Sequence, residues 1–288
     1  MMDEAMLIFS GMCGQGVTPE SRMARLADAL NKFSQMISTD IQPNTVVYHS
    51  LIQGFCAYGD SVKAKELVYE MINNGFPRPN IVFFSSIINS LCKEGKVIDA
   101  QDIFNLVVEI GESPDVTIFT SLIEGFCLVG KMEKASQVFD SMVSVGIEPN
   151  IVTYGTLVDG YCRSGRIDDG LILFRDLLHK GVKPTTITYY IILDGLFLAG
   201  RTVAAKKMFH EMIGSGTPVS LHTYDIILGG LCRNNCADEA ITLFQKLVAM
   251  NVKLDITIHN TMINAMFKVQ RREKANDFCC SISQWIGT

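Results

Sequence analysis

Side chains capable of chemistry are scarce in this chain, and most of them recur at one interval. The five histidines, His49, His179, His210, His222 and His259, are scattered. Only His210 is followed by glutamate, in FHEM, and no second histidine stands three residues beyond it. The zinc-peptidase pattern, two imidazoles one helical turn apart with a glutamate base between them, is therefore absent. No Cys-x-x-Cys follows a His-x-Glu, as a zinc deaminase requires. There is no Gly-x-Ser-x-Gly, phosphate-binding loop or dinucleotide fingerprint. The sequence thus predicts no enzyme, no catalytic residue, no cofactor, no metal site and no small-molecule substrate.

The nine cysteines have a different logic. Cys56, Cys92, Cys127, Cys162 and Cys232 fall at one phase, and Cys13 sits in a similar context. Side chains one helical repeat apart lie roughly 9 to 10 Å from each other. That is too far for a disulfide or a shared metal. The five phased cysteines are expected to be buried, reduced and small apolar fillers. Cys236, Cys279 and Cys280 are outside the pattern, and no second ligand pair follows Cys232 and Cys236. Directly after the phased cysteine, or in the same frame, come Lys93, Arg163, Arg233 and Lys268, with Ala57, Leu128 and Leu198 in the units between. These cations form a stripe at every second unit from 81–115 through 221–255. Such charges also suit a helix C-terminus.

The elements that position these residues follow from a period of about 35. Pro43-Asn44, Pro79-Asn80, Pro114-Asp115, Pro149-Asn150 and Pro184-Thr185 each open a β-branched stretch, an aromatic and an apolar run. Four such runs read TVVYHSLIQGFC, IVFFSSIINSLC, VTIFTSLIEGFC and IVTYGTLVDGYC. The units are 45–80, 81–115, 116–150, 151–185, 186–220, 221–255 and a partial 256–288. Residues 1–44 read as a degenerate unit with an insertion near VTPESRMAR. Each unit predicts two helices. The first starts near Tyr48, Phe84, Phe119, Tyr154, Tyr189 or Tyr224 and stops at a left-handed glycine, Gly59, Gly95, Gly130, Gly165 or Gly200. The second carries one face of small, bulky and apolar residues, such as Ala135, Phe139 and Met142. No unit buries its face alone, so the units must stack. Asn235 and Gln270 replace the glycine in the last two units, which suggests decay of the repeat toward the C-terminus, and Trp285 is expected to help cover the final helix.

Bulk properties bound the function classes. Of the 288 residues, 48% are hydrophobic and 19% charged, with a mean hydropathy of +0.23. No apolar run reaches the roughly 18 to 20 residues of a membrane span, so no membrane partner is expected. A net charge of −5 and a pI of about 5.6 argue against strong non-specific nucleic-acid binding. The N-terminal MMDEAMLIFSGMCGQG has neither signal-peptide nor Arg-rich presequence character, and no targeting segment is expected in the chain.

Units such as IVTYGTLVDGYCRSGRIDDGLILFRDLLHKGVKPT resemble pentatricopeptide repeats of the plain 35-residue type. The tetratricopeptide pattern of Trp, Leu, Gly and Tyr is missing. Phrases such as GFCLVGKMEKASQVFDSMVSVGIEPN resemble the fertility-restorer-like branch of the plant proteins. The resemblance implies an all-α, right-handed superhelical solenoid of helix-turn-helix repeats. It implies single-stranded RNA as partner, one base per repeat, running 5′ to 3′ from the N-terminus.

By the same resemblance, the fifth and last residues of each repeat read the base. The pairs are His49 with Asn80, Ser85 with Asp115, Thr120 with Asn150, Gly155 with Thr185, Tyr190 with Ser220, and Asp225 with Asp255; Asn260 opens a seventh. Ser85/Asp115 fits guanine, Thr120/Asn150 adenine, and Asn260 a pyrimidine. The other four pairs depart from the family's usual combinations. The second residue stacks on the base: Val46, Val82, Thr117, Val152, Ile187, His222 and Thr257. The alternative for these is that β-branched residues simply start or pack the helix. Lys93, Arg163, Arg233 and Lys268 are implied to face phosphates. The implied role is organelle RNA processing, stability or translation, most naturally mitochondrial, by occlusion or by recruiting a nuclease or other protein. Two other readings stand beside it: a protein-binding helical scaffold, which the acidic pI favours, and a truncated, weakly active paralogue.

Overall fold

The computed structural model describes residues 19–39, 41, 43–75, 79–250, 252 and 256–268, and of the terminal helices only the side chains within 26–263. Every regular element among them is a helix, so the all-α repeat class expected from sequence is the fold observed. In chain order the helices are α1 (Pro19–Ser38), α2 (Thr45–Tyr58), α3 (Ser61–Asn73), α4 (Ile81–Lys93), α5 (Val97–Glu109), α6 (Val116–Leu128) and α7 (Met132–Ser144). Then come α8 (Ile151–Arg163), α9 (Ile167–His179), α10 (Thr186–Leu198), α11 (Thr202–Gly214), α12 (Leu221–Arg233), α13 (Ala237–Ala249) and α14 (Ile256–Lys268). The chain divides into two compact units, Met1–Pro149 and Asn150–Thr288. The supposed first helix of the degenerate unit, Gln270, Trp285, Cys13, Cys279 and Cys280 lie outside the described residues.

Within each unit the helices form antiparallel pairs, and the first helix of each pair packs on the next. In the first unit α2, α4 and α6 are neighbours in that order, backed by α3, α5 and α7. In the second, α8, α10, α12 and α14 form the row, backed by α9, α11 and α13. The apolar faces read from sequence form the core. Ala64, Ala100, Ala135, Ala205 and Ala240 are sealed from solvent, as are Met71, Val107, Met142, Leu177 and Met212 one to two turns on. The aromatics near the start of the first helices, Tyr48, Phe84, Phe119, Tyr154 and Tyr189, are buried too. A buried phenol needs a partner for its hydroxyl. Tyr154 donates to Asp176 Oδ2 at 2.9 Å, which Lys180 holds from 3.1 Å, and Tyr189 donates to Ser215 Oγ at 3.3 Å.

The helices end where the sequence placed glycines, all at positive φ, as at Gly59 (97°) and Gly95 (75°). Asn235 adopts the same left-handed conformation, with φ 60°. What the sequence suggests as decay of the repeat is a substitution that keeps the turn, because asparagine tolerates this region better than other side chains.

The row of first helices is tight because a cysteine faces a glycine. A Cβ on Gly125 would sit 2.6 Å from Cys92 Sγ and 2.8 Å from its Cβ. A Cβ on Gly195 would sit 2.8 Å from Cys162 Sγ. In unit 186–220 Phe197 replaces the cysteine, and its ring takes the space a Cβ on Gly230 would need, at 2.2 Å. The cysteines are thus spacers, though not uniformly buried as expected. Cys56 and Cys92 are buried, while Cys127, Cys162 and Cys232 are only half-buried. Cys162 and Cys232 line an open cleft, which explains their exposure. Burial pushes the thiols of Cys56, Cys92 and Cys162 up to about 12, so they stay protonated and unreactive.

The Gly125→Ala protein is expected to lose about 1 to 3 kcal/mol, the cost of overpacking a filled core. Adding Cys92→Ala should restore only part, since the Cys92 Cβ contact remains. Gly155→Ala, where no atom lies within 4 Å of the added carbon, is the control. It should be neutral or gain up to about 1 kcal/mol in helix propensity. Urea unfolding of the three proteins checks this; equal stability of Gly125→Ala and wild type would refute the spacer role.

Candidate nucleic-acid interface

Among the described residues, the last residue of each repeat is the N-cap of the next first helix. Asn44 Oδ1 accepts from Val47 N at 3.1 Å, Asn80 Oδ1 from Phe83 N at 2.9 Å, and Asp115 Oδ1 from Ile118 N at 2.9 Å. In the second unit Asn150 Oδ1 accepts from Val152 N and Thr153 N, both at 3.0 Å. Thr185 Oγ1 accepts from Thr188 N at 3.3 Å, and Ser220 forms a capping box with Thr223. These are the side-chain types that satisfy a helix's unpaired N-terminal amides. Sequence reasoning assigned all of these except Asn44 a reading role and missed the capping one, although Pro followed by Asn, Asp or Thr before a helix is a legible start signal.

Capping decides which atom of each residue is left over. Asn80 and Asn150 spend their oxygen, so the amide nitrogen, a donor, remains. Asp115 spends one oxygen and keeps a second acceptor. The fifth residues are constrained in a similar way. Ser85 Oγ donates to Ile81 O at 2.8 Å, and Thr120 Oγ1 donates to Val116 O at 2.7 Å. With its proton used, Ser85 offers lone pairs. Ser85 and Asp115, both in the first unit, therefore present acceptors only.

The remaining fifth residues behave differently. Gly155 offers no side chain. His49 stacks on Phe83, ring centroids 3.6 Å apart and 17° from parallel, and its Nε2 is buried without a hydrogen-bond partner. Tyr190 Oη lies 2.5 Å from Ser220 Oγ. Asp225 Oδ1 accepts a long bond from Thr261 Oγ1 at 3.4 Å. Asn260 is exposed on α14, and Asp255 lies outside the described residues. The second residues all face solvent. Val82 is 70% exposed, Val152 60% and Ile187 66%, while Val46, Thr117, His222 and Thr257 are exposed as well. Such exposure removes the alternative that they pack the core.

The cationic stripe is less free than its sequence suggests. Lys93 is exposed and makes no ion pair among the described residues. Arg163 Nε instead pairs with Asp159 at 2.9 Å, one turn earlier on α8. Arg233 pairs with Asp194 of the preceding repeat at 2.9 Å. The side chain of Lys268 lies outside those described. Asp159 and Asp194 were not singled out from sequence; the four-residue spacing to Arg163 was the signal for the first. In the second unit these groups line a cleft of about 610 Å³ with Tyr190, Leu198, His222 and Asp225. Its charged lining is three carboxylates against two guanidiniums.

No group of three or more His, Cys, Asp or Glu side chains poised for a metal exists among the described residues. Among them, no helix is long and apolar enough to cross a membrane.

Helical pairs of this period, capped and spaced in this way, define a class of repeat protein, and comparison with known families names it. The PPR repeat family model matches residues 79–127, 114–163 and 149–198, the pentatricopeptide repeat domain model matches 33–94, and a further PPR repeat model matches 187–217 and 222–252. The chain belongs to the pentatricopeptide repeat family. A mitochondrial pentatricopeptide repeat-containing protein of Arabidopsis thaliana is 46% identical over 50 residues, 17% of this chain and 11% of that protein. The crystal structure of the maize pentatricopeptide repeat protein PPR10 is similar at TM-score 0.61 and 21% identity, covering 99% of this chain and 46% of that one. The same protein in complex with an 18-nucleotide psaJ RNA element is similar at TM-score 0.54. The pentatricopeptide repeat domain of the Arabidopsis thaliana protein-only RNase P 1, in complex with tRNA, follows at 0.52 and 14% identity over 62% of this chain and 94% of that one. The chain thus spans about half the length of PPR10 and a tenth of the curated relative.

Burial lowers the pKa of His49. The imidazole is then neutral in the fold at pH values where the unfolded chain takes up a proton. Its contribution to stability is complete above the unfolded value of about 6.5 and is lost as the pH falls through the lower folded value. Thermal unfolding should fall more between pH 7 and pH 5 for wild type than for His49→Phe, which keeps the stack on Phe83 without titrating. Parallel pH profiles would contradict this.

Proposed function

We propose that the chain binds single-stranded RNA with sequence selectivity, one base per repeat, through the first helices of its repeats, and has no enzymatic activity of its own. The observation that carries the reading is the N-cap series. Each cap fixes one head of Asn80, Asp115 or Asn150 and leaves the other for a ligand. At the Ser85/Asp115 step the remaining atoms are acceptors, and guanine alone among the bases places two donor groups, N1–H and N2–H, side by side. By the family's pattern the pair Thr120 and Asn150 is assigned to adenine. The exposed second residues, Val82, Val152 and Ile187 among them, supply faces for stacking, which tolerates any base. The RNA in the PPR10 and RNase P 1 complexes supports a nucleic-acid ligand for this chain.

The mitochondrial relative supports action in that organelle, and the restorer-like phrases of the sequence support a role on transcripts linked to male sterility. The mode of action would be occlusion of a bound transcript, or recruitment of a nuclease or other protein. A peptide ligand is the second reading, favoured by the carboxylates Asp159, Asp194 and Asp225 in the second unit's cleft. Selection from a random RNA pool decides between them: recovery of no RNA would leave the peptide reading.

Asp115→Asn should switch that step from guanine toward adenine, each base contact being worth about 1 to 3 kcal/mol. The fold should be unaffected, because asparagine caps a helix about as well as aspartate. An unchanged base preference in a folded variant would refute the assigned reading pair.

Lys93, Arg163, Arg233 and Lys268 are proposed to meet phosphates, with the two arginines first giving up their aspartates. Lys93→Ala should weaken binding to all RNAs alike and lower the salt slope by about 0.7, the single-strand value per phosphate. Arg163→Ala should do less, and Asp159→Asn should strengthen binding. Filter-binding titrations across salt concentrations test the order; an unchanged slope in Lys93→Ala would remove the stripe from the interface.

A further inference from the structure

We propose that repeat 186–220 is an unselective step, because Tyr190 has already engaged the hydroxyl groups that would choose its base. The inference rests on the RNA-binding reading and adds to it a gap in the readout of the second unit.

The geometry is a ring of three hydroxyls closed through the Ser220 backbone amide. Tyr190, on α10, reaches the cap of α12, where its Oη lies 2.5 Å from Ser220 Oγ. The Thr223 hydroxyl donates to Tyr190 Oη at 3.3 Å, and the Ser220 amide donates back to Thr223 Oγ1 at 3.1 Å. Thr223 is fully buried, so its side chain cannot turn to a ligand. The Tyr190 ring meets the His222 ring edge-on at a centroid distance of 4.8 Å and 78°. The phenol is thereby fastened at both ends, and it forms part of the cleft wall.

Proton accounting gives the consequence. The Thr223 proton goes to Tyr190. One of the Tyr190 and Ser220 protons is used in the bond between them, whichever atom donates. One hydroxyl proton is left, and neither side chain of the pair carries a carboxylate or an amide to set beside it. A lone donor finds an acceptor on every base: a ring nitrogen of adenine, O6 or N7 of guanine, O2 of cytosine, O4 of uracil. It therefore has nothing with which to discriminate. The Ser85/Asp115 step, with two acceptors and no donor, is the opposite case. The exposed Ile187 and His222 still offer stacking surfaces at this step, so the nucleotide can be accommodated while its identity is ignored.

The test uses the full chain and the RNA it retains from a random pool, with every position replaced in turn by each of the four bases. The position facing repeat 81–115 is expected to vary in affinity by about tenfold or more, the lower range of good base contacts. The position three nucleotides further along, facing repeat 186–220, should vary by less than about threefold. The double variant Tyr190→Ser/Ser220→Asp copies the Ser85/Asp115 pair and keeps a capping side chain. It should gain a guanine preference of about tenfold at that position alone. Tenfold selection there by the wild type would overturn the proposal. So would a double variant with wild-type helicity and melting temperature that gains no preference. If the wild type retained no RNA at all, the RNA-binding reading would fail first, an outcome distinct from the other two.

Discussion

The hydrogen bond that the third amide of a first helix donates to the last side chain of the preceding repeat is, among the described residues, the constraint on which the rest depends. It forms whether or not a ligand is present, because the helix N-terminus leaves amides that must be satisfied. Its worth to the fold is about 1 kcal/mol per cap. Turning the Asn80 amide over would set its NH2 against the Phe83 N–H, forfeiting that bond and placing two donors in contact. The orientation of the outward head is therefore fixed before any base arrives. Asparagine and aspartate differ little as caps, yet they leave opposite hydrogen-bonding characters outside. One interaction starts the helix and, on the proposed reading, would also preset the group that meets a base, removing part of the ordering cost that binding otherwise carries.

A second constraint sets the distance between successive first helices. In the row α4 to α6 the spacing is limited by Cys92 against Gly125, and in α8 to α10 by Cys162 against Gly195. These pairs let backbones approach until a Cβ would collide. The position can vary only if its opposite number does not grow. Phe197 fills the cysteine's place because Gly230 leaves room for its ring. Packing density in a filled interior makes such contacts stiff, so helix spacing is held by side chains remote from any ligand.

Much of this was legible in the chain, and the divisions between legible and hidden are physical. The period, the left-handed glycines and the apolar faces of α3, α5, α7, α9, α11 and α13 are local properties, repeated in phase from unit to unit. Asn235 misled because a missing glycine looks like lost geometry, when asparagine can adopt the same φ. The half-burial of Cys162 and Cys232 was not legible, since it depends on a cleft shaped by neighbouring repeats. Nor was the Tyr190–Ser220–Thr223 ring, whose members are 30 or more residues from Tyr190 and meet only when α10 packs on α12. The partner of Arg233 is hidden for the same reason, being Asp194 on the preceding first helix. Sequence phase tells which residues share a row; it does not tell which of them take one another as partners.

Those partners change how an acidic protein would hold a polyanion. At an exposed pair such as Arg163–Asp159 the ion pair contributes about 0 to 1 kcal/mol, so a phosphate can compete for the guanidinium. The exchange returns little net energy, because one anion replaces another and the displaced aspartate stays nearby. Counterion release is weakened where a protein carboxylate already plays the counterion's part. In the second unit the backbone of a bound strand would therefore gain less than the number of arginines implies, and stacking and base contacts would supply a larger share of the affinity. Non-specific binding depends on phosphate contacts and specific binding on bases, so the same carboxylates that reduce total affinity widen the ratio between them. On the proposed RNA-binding reading, Asp159 and Asp194 would add to the selectivity of the interface, even though neither need touch a base.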